Sequence, residues 1–212
     1  MTKKLWQASL KQKKKSNLFK FENYISKKFN KKFNNDFQKI LNWSIKNSSE
    51  FWSSFWDFTK INGLKSNKKI RKSKIFYKNL FLPGSKLNFA NNLLAKNDKK
   101  KAATFISENG FREERSWQKL NQNSNKLVHF LKDKKINQKD RVAAYMPNTI
   151  ETVEAFISTA AIGAIWSSCS PDFGVKGVIE RFSQINPKIL FITDQYYYNG
   201  KQINVIDRLP EI

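Results

Sequence analysis

The sequence predicts an α/β protein in which a helical amino-terminal leader packs on the start of a parallel β-sheet. Apolar residues recur at helical spacing in the first hundred positions, whereas from residue 102 short apolar runs alternate with amphipathic helical patterns. Strands separated by helices at short intervals are typical of βαβ units, whose strands are parallel. Hydrophobic residues make up 40% of the 212 positions, a content unlike that of disordered chains. We therefore expect a helical segment over 1–100 and an incomplete α/β domain over 101–212.

Two helices are predicted in the leader. The first is indicated by the helical spacing of Phe33, Phe37, Ile40, Leu41, Ser44 and Ile45. Ser48 and Ser49 are suited to cap the second, whose stripe consists of Phe51, Phe55 and Phe58, flanked by Trp52 and Trp56. Such a stripe is typical of a docking face, and we expect it to pack on the α/β domain. Residues 61–82 are polar and basic and predict a linker that ends at the Pro83-Gly84 turn.

The α/β part is predicted to begin with a hairpin of strands 103–107 and 111–115, joined at Asn109-Gly110. Ser116 is suited to cap the following helix, which carries Trp117, Leu120, Leu127 and Leu131 on one face, and His129 lies off that face. Further strands are predicted at 142–145, 165–168 and 189–193, with helices at 152–162 and 174–185. We expect the last residues, 207–212, to lie in a helix or a loop.

Positive charge is concentrated in the first half of the chain. Residues 1–101 carry 26 lysines and arginines against 5 aspartates and glutamates, whereas residues 102–212 carry 14 against 12. A basic half is typical of proteins that bind nucleic acid or an anionic membrane. The charge is nearly all lysine and is spread widely, whereas readers of bases and phosphates favour arginine. We therefore interpret most of it as solvated surface, and keep a basic binding surface as the alternative.

Several kinds of site are disfavoured by composition. One cysteine, Cys169, precludes a disulfide framework and fits a cytoplasmic location, and one histidine leaves no metal-binding spacing. The glycine patterns of nucleotide-binding loops do not occur, and we see no apolar signal-peptide core in the first residues. The longest apolar run, near 160–166, is too short to span a bilayer. No catalytic or metal-ligating residue is therefore predicted from local motifs.

The most informative stretch runs from Trp166 to Gly177, where a buried strand leads into a loop and a helix. Loops at the carboxyl ends of parallel strands are where open α/β proteins bind ligands. The structural interpretation is that Ser170 and Asp172 cap the helix beginning near Gly174.

This stretch also resembles a known family. Four segments occur in the order found in the acetoacetyl-CoA synthetase branch of the acyl-adenylate-forming ligases: Phe55-Trp56-Asp57-Phe58, residues 82–94 (LPGSKLNFANNLL), residues 140–148 (DRVAAYMPN), and residues 163–174 (GAIWSSCSPDFG) followed by 181–188 and 198–201. The block Trp-Ser-Ser-Cys-Ser-Pro-Asp-Phe-Gly is specific to this branch. The chain is thus similar to the amino-terminal part of such an enzyme.

The resemblance implies a two-step ligase that uses ATP, coenzyme A and Mg²⁺ in its complete form. Acetoacetate would attack ATP to give an acyl-adenylate and diphosphate, and the thiol of coenzyme A would then displace AMP. In relatives, a Ser/Thr/Gly-rich loop ending in Pro-Lys and a lysine on a small carboxyl-terminal domain serve the adenylation step. Neither is in this sequence, so we expect the chain to be inactive alone and to act with the remainder of the same polypeptide.

The resemblance also implies ligand-binding positions. The loop Tyr198-Asn199-Gly200-Lys201 corresponds to one that contacts the 3′-phosphate of coenzyme A in acetyl-CoA synthetases, so Lys201 is the candidate for that charge. Trp166, Ser168 and Cys169 are candidates for the wall of the nucleotide or acyl site. We expect small-molecule substrates, with neither a nucleic-acid partner nor membrane insertion. Two alternatives stay open: a ligase of this architecture for another short acid, and a non-catalytic basic module that binds nucleic acid or an anionic membrane.

Overall fold

A computed structural model describes residues 5–212. The chain forms two compact units, Met1–Leu87 and Asn88–Ile212. Composition had suggested a boundary further along, between residues 100 and 101. The prediction that the first residues carry no signal-peptide core includes residues 1–4, which lie outside the described part.

The described part of the first unit is mainly helical. Its helices are α1 (Leu10–Lys15), α2 (Asn17–Phe29), α3 (Phe37–Lys46) and α4 (Ser48–Thr59). Side chains set three of the starts: Ser9 forms a capping box with Gln12, Ser16 accepts from the Phe19 N–H, and Asp36 accepts from two N–H groups of α3. The predicted cap of α4 is wrong, because Asn47 precedes the helix without a side-chain bond.

An aromatic cluster forms the core of this unit. Phe21 and Ile25 of α2 are buried together with Phe33, Ile40 and Trp43. Phe51 and Phe58 of α4 pack against this cluster, with the Phe21 and Phe58 ring centroids 5.1 Å apart. The expectation that this stripe packs on the α/β domain is therefore wrong for these two side chains, because α2 provides their partner surface.

The segment predicted as a linker has structure of its own. Strands β1 (Gly63–Leu64) and β2 (Lys86–Leu87) pair antiparallel, and a short 3₁₀ turn covers Phe76–Lys78. Leu82 is buried within the unit. Residues 61–87 therefore fold back on the first unit instead of extending away from it.

The second unit contains the parallel sheet. Its elements are α5 (Phe89–Leu93), β3 (Lys101–Ile106), β4 (Arg112–Ser116), α6 (Trp117–Asp133), β5 (Arg141–Tyr145), α7 (Ile150–Ala161), β6 (Ile165–Cys169), α8 (Val175–Phe182), β7 (Ile189–Ile192), β8 (Gln195–Tyr198) and β9 (Lys201–Asn204). β5 lies between β6 and β7 and is parallel to both, and Tyr145 is in register with Cys169 and Ile192. The prediction of a parallel sheet in an α/β unit is confirmed.

Apolar side chains cover both faces of β5. On one face, Val142 packs with Leu131 of α6 and with Ile136. On the other, Ala143 and Tyr145 pack with Val178 and Phe182 of α8. A strand buried on both faces reads as a continuous apolar run, which is why its position was predictable.

Two further hairpins complete the unit. β3 and β4 pair antiparallel around Gly110, whose φ is +83°, as predicted. β8 and β9 form a hairpin where the sequence had suggested only a loop. The last residues form a 3₁₀ helix over Ile206–Glu211. No helix among residues 5–212 is long and apolar enough to cross a membrane.

Candidate ligand site at the carboxyl edge of the sheet

Loops from three parallel strands meet at the carboxyl edge of the sheet. They enclose a cavity of about 270 Å³. Its lining comes from the loop after β5, the first turn of α7, the end of β6 with the loop that follows it, and β8: Met146, Pro147, Asn148, Thr152, Ser168, Cys169, Ser170, Asp172, Tyr196, Tyr197 and Tyr198. This lining is polar for the most part and includes the Asp172 carboxylate, so it suits a ligand with hydrogen-bonding groups.

A second cavity of about 410 Å³ adjoins the first and shares Pro147, Tyr196 and Tyr197 with it. The β3–β4 hairpin contributes Phe105, Ile106 and Phe111 to its lining. The second cavity is therefore the more apolar of the two. Together they offer adjoining polar and apolar compartments, as ligand sites commonly do.

The side chain of Tyr145, at the end of β5, holds the loop after β6 through hydrogen bonds. The Tyr145 hydroxyl donates toward the carbonyl oxygens of Phe173, at 2.6 Å, and Pro171, at 2.9 Å. It accepts from Nη1 of Arg208, which lies 2.8 Å away and also donates to the Pro171 carbonyl at 2.9 Å. Tyr145 is fully buried. These bonds fix the backbone of residues 171–173 relative to the central strand.

Asp172 ties the same loop to the β8–β9 hairpin. Its carboxylate accepts from the Ser170 hydroxyl and from the Tyr196 hydroxyl, each at 2.7 Å. These two hydrogen bonds lower the pKa of Asp172, and burial together with the bond to Asp172 raises the pKa of Tyr196 to about 12. The structural interpretation that Ser170 and Asp172 cap the next helix is wrong, because Gly174 precedes α8 without a side-chain bond.

The three candidate wall residues do not share one site. Ser168 and Cys169 line the smaller cavity, where Ser168 is exposed and Cys169 is buried. Trp166 is absent from the linings of both cavities and packs with Phe156 and Phe191, at centroid distances of 6.2 and 6.4 Å. Burial raises the pKa of the Cys169 thiol, which keeps it protonated near neutral pH and disfavours it as a nucleophile.

The candidate coenzyme A loop forms the turn of the β8–β9 hairpin. Asn199 and Gly200 have φ of +52° and +71°, the conformation of a tight two-residue turn. Tyr198 lines the smaller cavity, whereas Lys201 is exposed and lines neither cavity. The N–H of Gly200 donates to Oε2 of Glu108 at 3.2 Å. The Glu108 carboxylate therefore already accepts from a backbone N–H of the loop that was predicted to bind a phosphate.

Sequence reasoning missed Arg208, Tyr196 and Glu108. Arg208 is 63 positions from Tyr145 in the chain, and no local pattern links residues so far apart. The run of three tyrosines at 196–198 was the available signal, since aromatic residues are enriched in strands.

Among residues 5–212, no group of three or more histidine, cysteine, aspartate or glutamate side chains is placed to hold a metal ion.

Comparisons with known proteins place this part of the chain in a family. The profile of the AMP-binding enzyme family matches residues 93–211. The chain is 37% identical over 177 residues to the acetoacetyl-coenzyme A synthetase of Rhizobium meliloti (strain 1021), an alignment that covers 84% of this chain and 27% of that protein. It is 31% identical over 216 residues to the malonamoyl-CoA synthetase vrtB of Penicillium aethiopicum, covering 98% of this chain and 30% of that protein.

The fold is also that of a solved synthetase. The structure of the acetoacetyl-CoA synthetase from Streptomyces lividans matches with a TM-score of 0.91 at 25% identity, covering 99% of this chain and 33% of that one. The chain thus spans about a third or less of the length of each of these relatives.

Proposed function

Because the chain belongs to the AMP-binding enzyme family, we propose that it forms part of an ATP-dependent acid–CoA ligase that acts on acetoacetate. The observation that carries the proposal is the 37% identity to an acetoacetyl-coenzyme A synthetase over 84% of the chain. The cavities at the carboxyl edge of the sheet lie within the region that the family profile matches. Members of a fold can differ in chemistry, so the site residues must support the proposal separately.

The proposed reaction has two steps. A carboxylate oxygen of acetoacetate attacks the α-phosphorus of ATP, and diphosphate leaves with the electron pair of the broken phosphoanhydride bond. The thiol of coenzyme A then loses its proton to solvent as its sulfur attacks the acyl carbon, and AMP leaves with the electron pair of the broken acyl–oxygen bond. Mg²⁺ would balance the negative charge of the phosphates in the first step. This chain contributes the wall of the site, and the remainder of the complete enzyme supplies the groups that act on the phosphates.

The smaller cavity is the part of this chain best suited to the nucleotide or the acyl group. Ser168 presents a hydroxyl there, and the buried thiol of Cys169 adds a small and weakly polar surface. The loop after β6 is held in place by the bond from Tyr145 to the Phe173 carbonyl and by the bond between Asp172 and Tyr196. A rigid wall of this kind supports catalysis by positioning substrates. Trp166 would act from the apolar layer behind the strand, without touching a ligand.

Coenzyme A would bind at the β8–β9 hairpin. Lys201 is an exposed cation beside the tight turn at Asn199 and Gly200, so it supplies a point charge for the 3′-phosphate. Glu108 opposes this role, because its carboxylate accepts from the Gly200 N–H. Binding of a phosphate at the turn would therefore require this carboxylate to move away.

A second acid is favoured by one observation. The Penicillium relative is named for malonamoyl-CoA. Acetoacetate and malonamate are both short carboxylates with a carbonyl group at the third carbon, so a site for one has the shape and hydrogen-bonding capacity for the other. The alternative proposal is a ligase of the same architecture for a different 3-carbonyl acid.

The test begins with the DNA beyond codon 212. The open reading frame is expressed in full, and acetoacetate-dependent exchange of labelled diphosphate into ATP is measured, with malonamate and acetate as competing acids. We expect the highest rate with acetoacetate, and no exchange by the 212-residue chain alone. Preference for malonamate would select the alternative, and the absence of exchange with any of the three acids would contradict both.

A further inference from the structure

The first unit contains a cavity of about 230 Å³, formed by residues between 28 and 82. It draws on a part of the sequence that the proposed ligase site does not use. Its lining holds four serines and three lysines against one carboxylate, that of Glu50. A concave surface rich in hydroxyl and ammonium groups is suited to an anion.

The serine hydroxyls of this cavity are available as donors. Ser49 Oγ accepts from the Ile70 N–H at 3.0 Å, and Ser66 Oγ accepts from the Lys68 N–H at 3.2 Å. A hydroxyl that accepts one bond keeps its own proton for another partner. Ser54 is fully buried, and its hydroxyl has no hydrogen-bond partner among the described residues. Because buried polar groups are nearly always paired, the Ser54 hydroxyl is a candidate donor to a group bound in the cavity.

The charges around the cavity also favour an anion. Lys68 and Lys69 are exposed, and neither forms an ion pair with another residue of the described part. The third lysine, Lys28, is already paired with Asp57 at 3.2 Å. Ser49 and Glu50 lie in the first turn of α4, a helix of 12 residues whose preceding residue offers no side-chain cap. The partial positive charge of a helix start adds to that of the lysines.

We propose that this cavity binds a phosphate group, held by the hydroxyls of Ser49, Ser54 and Ser66 and by the charges of Lys68 and Lys69. A neutral polar ligand would use the hydroxyls but not the lysines. The proposal is independent of the ligase function, because none of these residues lies in the region matched by the family profile.

The test is titration of inorganic phosphate into the 212-residue chain at constant ionic strength, followed by ³¹P line broadening and by the melting temperature. We expect Lys68→Gln with Lys69→Gln to weaken binding roughly three- to tenfold, since exposed ion pairs each contribute little. Glu50→Gln should strengthen binding by about two- to fivefold, because it removes the opposing charge. The matched control is Lys13→Gln with Lys14→Gln in α1, which removes the same charge away from the cavity.

Ser54→Ala separates a binding role from a structural one. If the Ser54 hydroxyl has only a structural role, its removal should leave phosphate binding unchanged. We expect the variant to fold at least as stably without phosphate and to gain less from it. Equal losses in the control pair and the cavity pair, or no response to Glu50→Gln, would assign phosphate binding to diffuse charge and overturn the proposal. A parallel titration with adenosine 3′,5′-bisphosphate identifies the source: tighter binding than inorganic phosphate indicates a nucleotide, and equal binding a free ion.

Discussion

The hydroxyl of Tyr145, at the end of the central strand, lies 2.6 Å from the carbonyl oxygen of Phe173 in the loop after the next strand. This contact joins the most buried element of the second unit to the backbone of the candidate site. Arg208 donates to the same hydroxyl at 2.8 Å. The position of the loop therefore depends on a side chain that itself lines neither cavity.

Replacement of Tyr145 by Phe should destabilise the chain by about 1–3 kcal/mol, because it leaves two carbonyl groups and a guanidinium with fewer partners in a buried site. The free energy of unfolding is measured by urea denaturation. The control is Tyr197→Phe, which removes an exposed hydroxyl 3.2 Å from Gln202 and should change stability by less than about 0.5 kcal/mol. Equal effects of the two variants would show that Tyr145 does not hold the loop.

Much of the second unit could be predicted from its local sequence. Strand β5 is a buried apolar run that begins one residue before its predicted start, and β6 and β7 match their predictions to within one residue. The β8–β9 hairpin was missed because most of its residues are exposed and only Tyr196 and Ile203 are half-buried, which leaves no alternating apolar pattern in the sequence. The contact of Tyr145 with Arg208 was beyond prediction, because it depends on how the chain folds over 63 positions.

In the first unit, local patterns indicated α3 and α4, but they did not single out α1 and α2 and did not predict what the helices pack against. The predicted stripe of α4 packs through Phe51 and Phe58, whereas Phe55 stays exposed. Its partner is α2, and apolar spacing carries no information about which apolar surface is chosen. Asp57 illustrates the same limit, since its role depends on Lys28 and Lys65 from two other segments.

Asp57 should make the stability of the chain depend on pH. Burial raises the pKa of Asp57, but hydrogen bonds from Lys65 at 2.6 Å and Lys28 at 3.2 Å outweigh it and leave the pKa below its usual value. A carboxylate with a lowered pKa contributes stability above its unfolded pKa and loses it as the pH falls through the folded value. We expect the stability difference between the wild type and Asp57→Asn to shrink as the pH is lowered from 7 to 3.

The measurement is the midpoint of chemical denaturation at several pH values for both proteins. Asp133→Asn is the control, because the Asp133 side chain has no hydrogen bond or ion pair among the described residues. A constant difference between wild type and Asp57→Asn over this pH range would contradict the assigned pairing.

Glu154 is expected to show the opposite pH dependence. It is 4% exposed, and burial raises its pKa even though Asn123 donates to it at 2.9 Å and Arg115 Nε lies 2.9 Å away. A carboxyl with a raised pKa contributes stability below its unfolded pKa and loses it as the pH rises through the folded value. The wild type should therefore gain stability relative to Glu154→Gln as the pH is lowered from 7 to 4. A relative loss over that range would show that the charged form is favoured by Arg115.

The excess of lysine in the first half leads to a prediction about DNA. If these lysines are solvated surface, the chain should bind duplex DNA weakly and without sequence preference at 150 mM salt. A dedicated basic surface that neutralises several phosphates would give a steep linear fall of log affinity with log salt. Fluorescence anisotropy with labelled duplexes of two different sequences distinguishes the two cases. Sequence preference or micromolar binding at this salt concentration would favour the basic binding module.

The hairpin turn gives the sharpest prediction for the complete ligase. Lys201→Glu should raise the KM for coenzyme A by about tenfold and leave acetoacetate-dependent diphosphate exchange unchanged, because in the proposed reaction coenzyme A enters only after the adenylate forms. Glu108→Gln should lower this KM, since it removes the carboxylate that accepts from the Gly200 N–H. Lys119→Glu, at an exposed position of α6, is the matched charge reversal. Opposite shifts for Lys201→Glu and Glu108→Gln, with no shift for the control, would place a phosphate at the turn. If thioester kinetics are the same in all three variants, coenzyme A binds elsewhere, and the bond between Gly200 and Glu108 serves only to hold the two hairpins together.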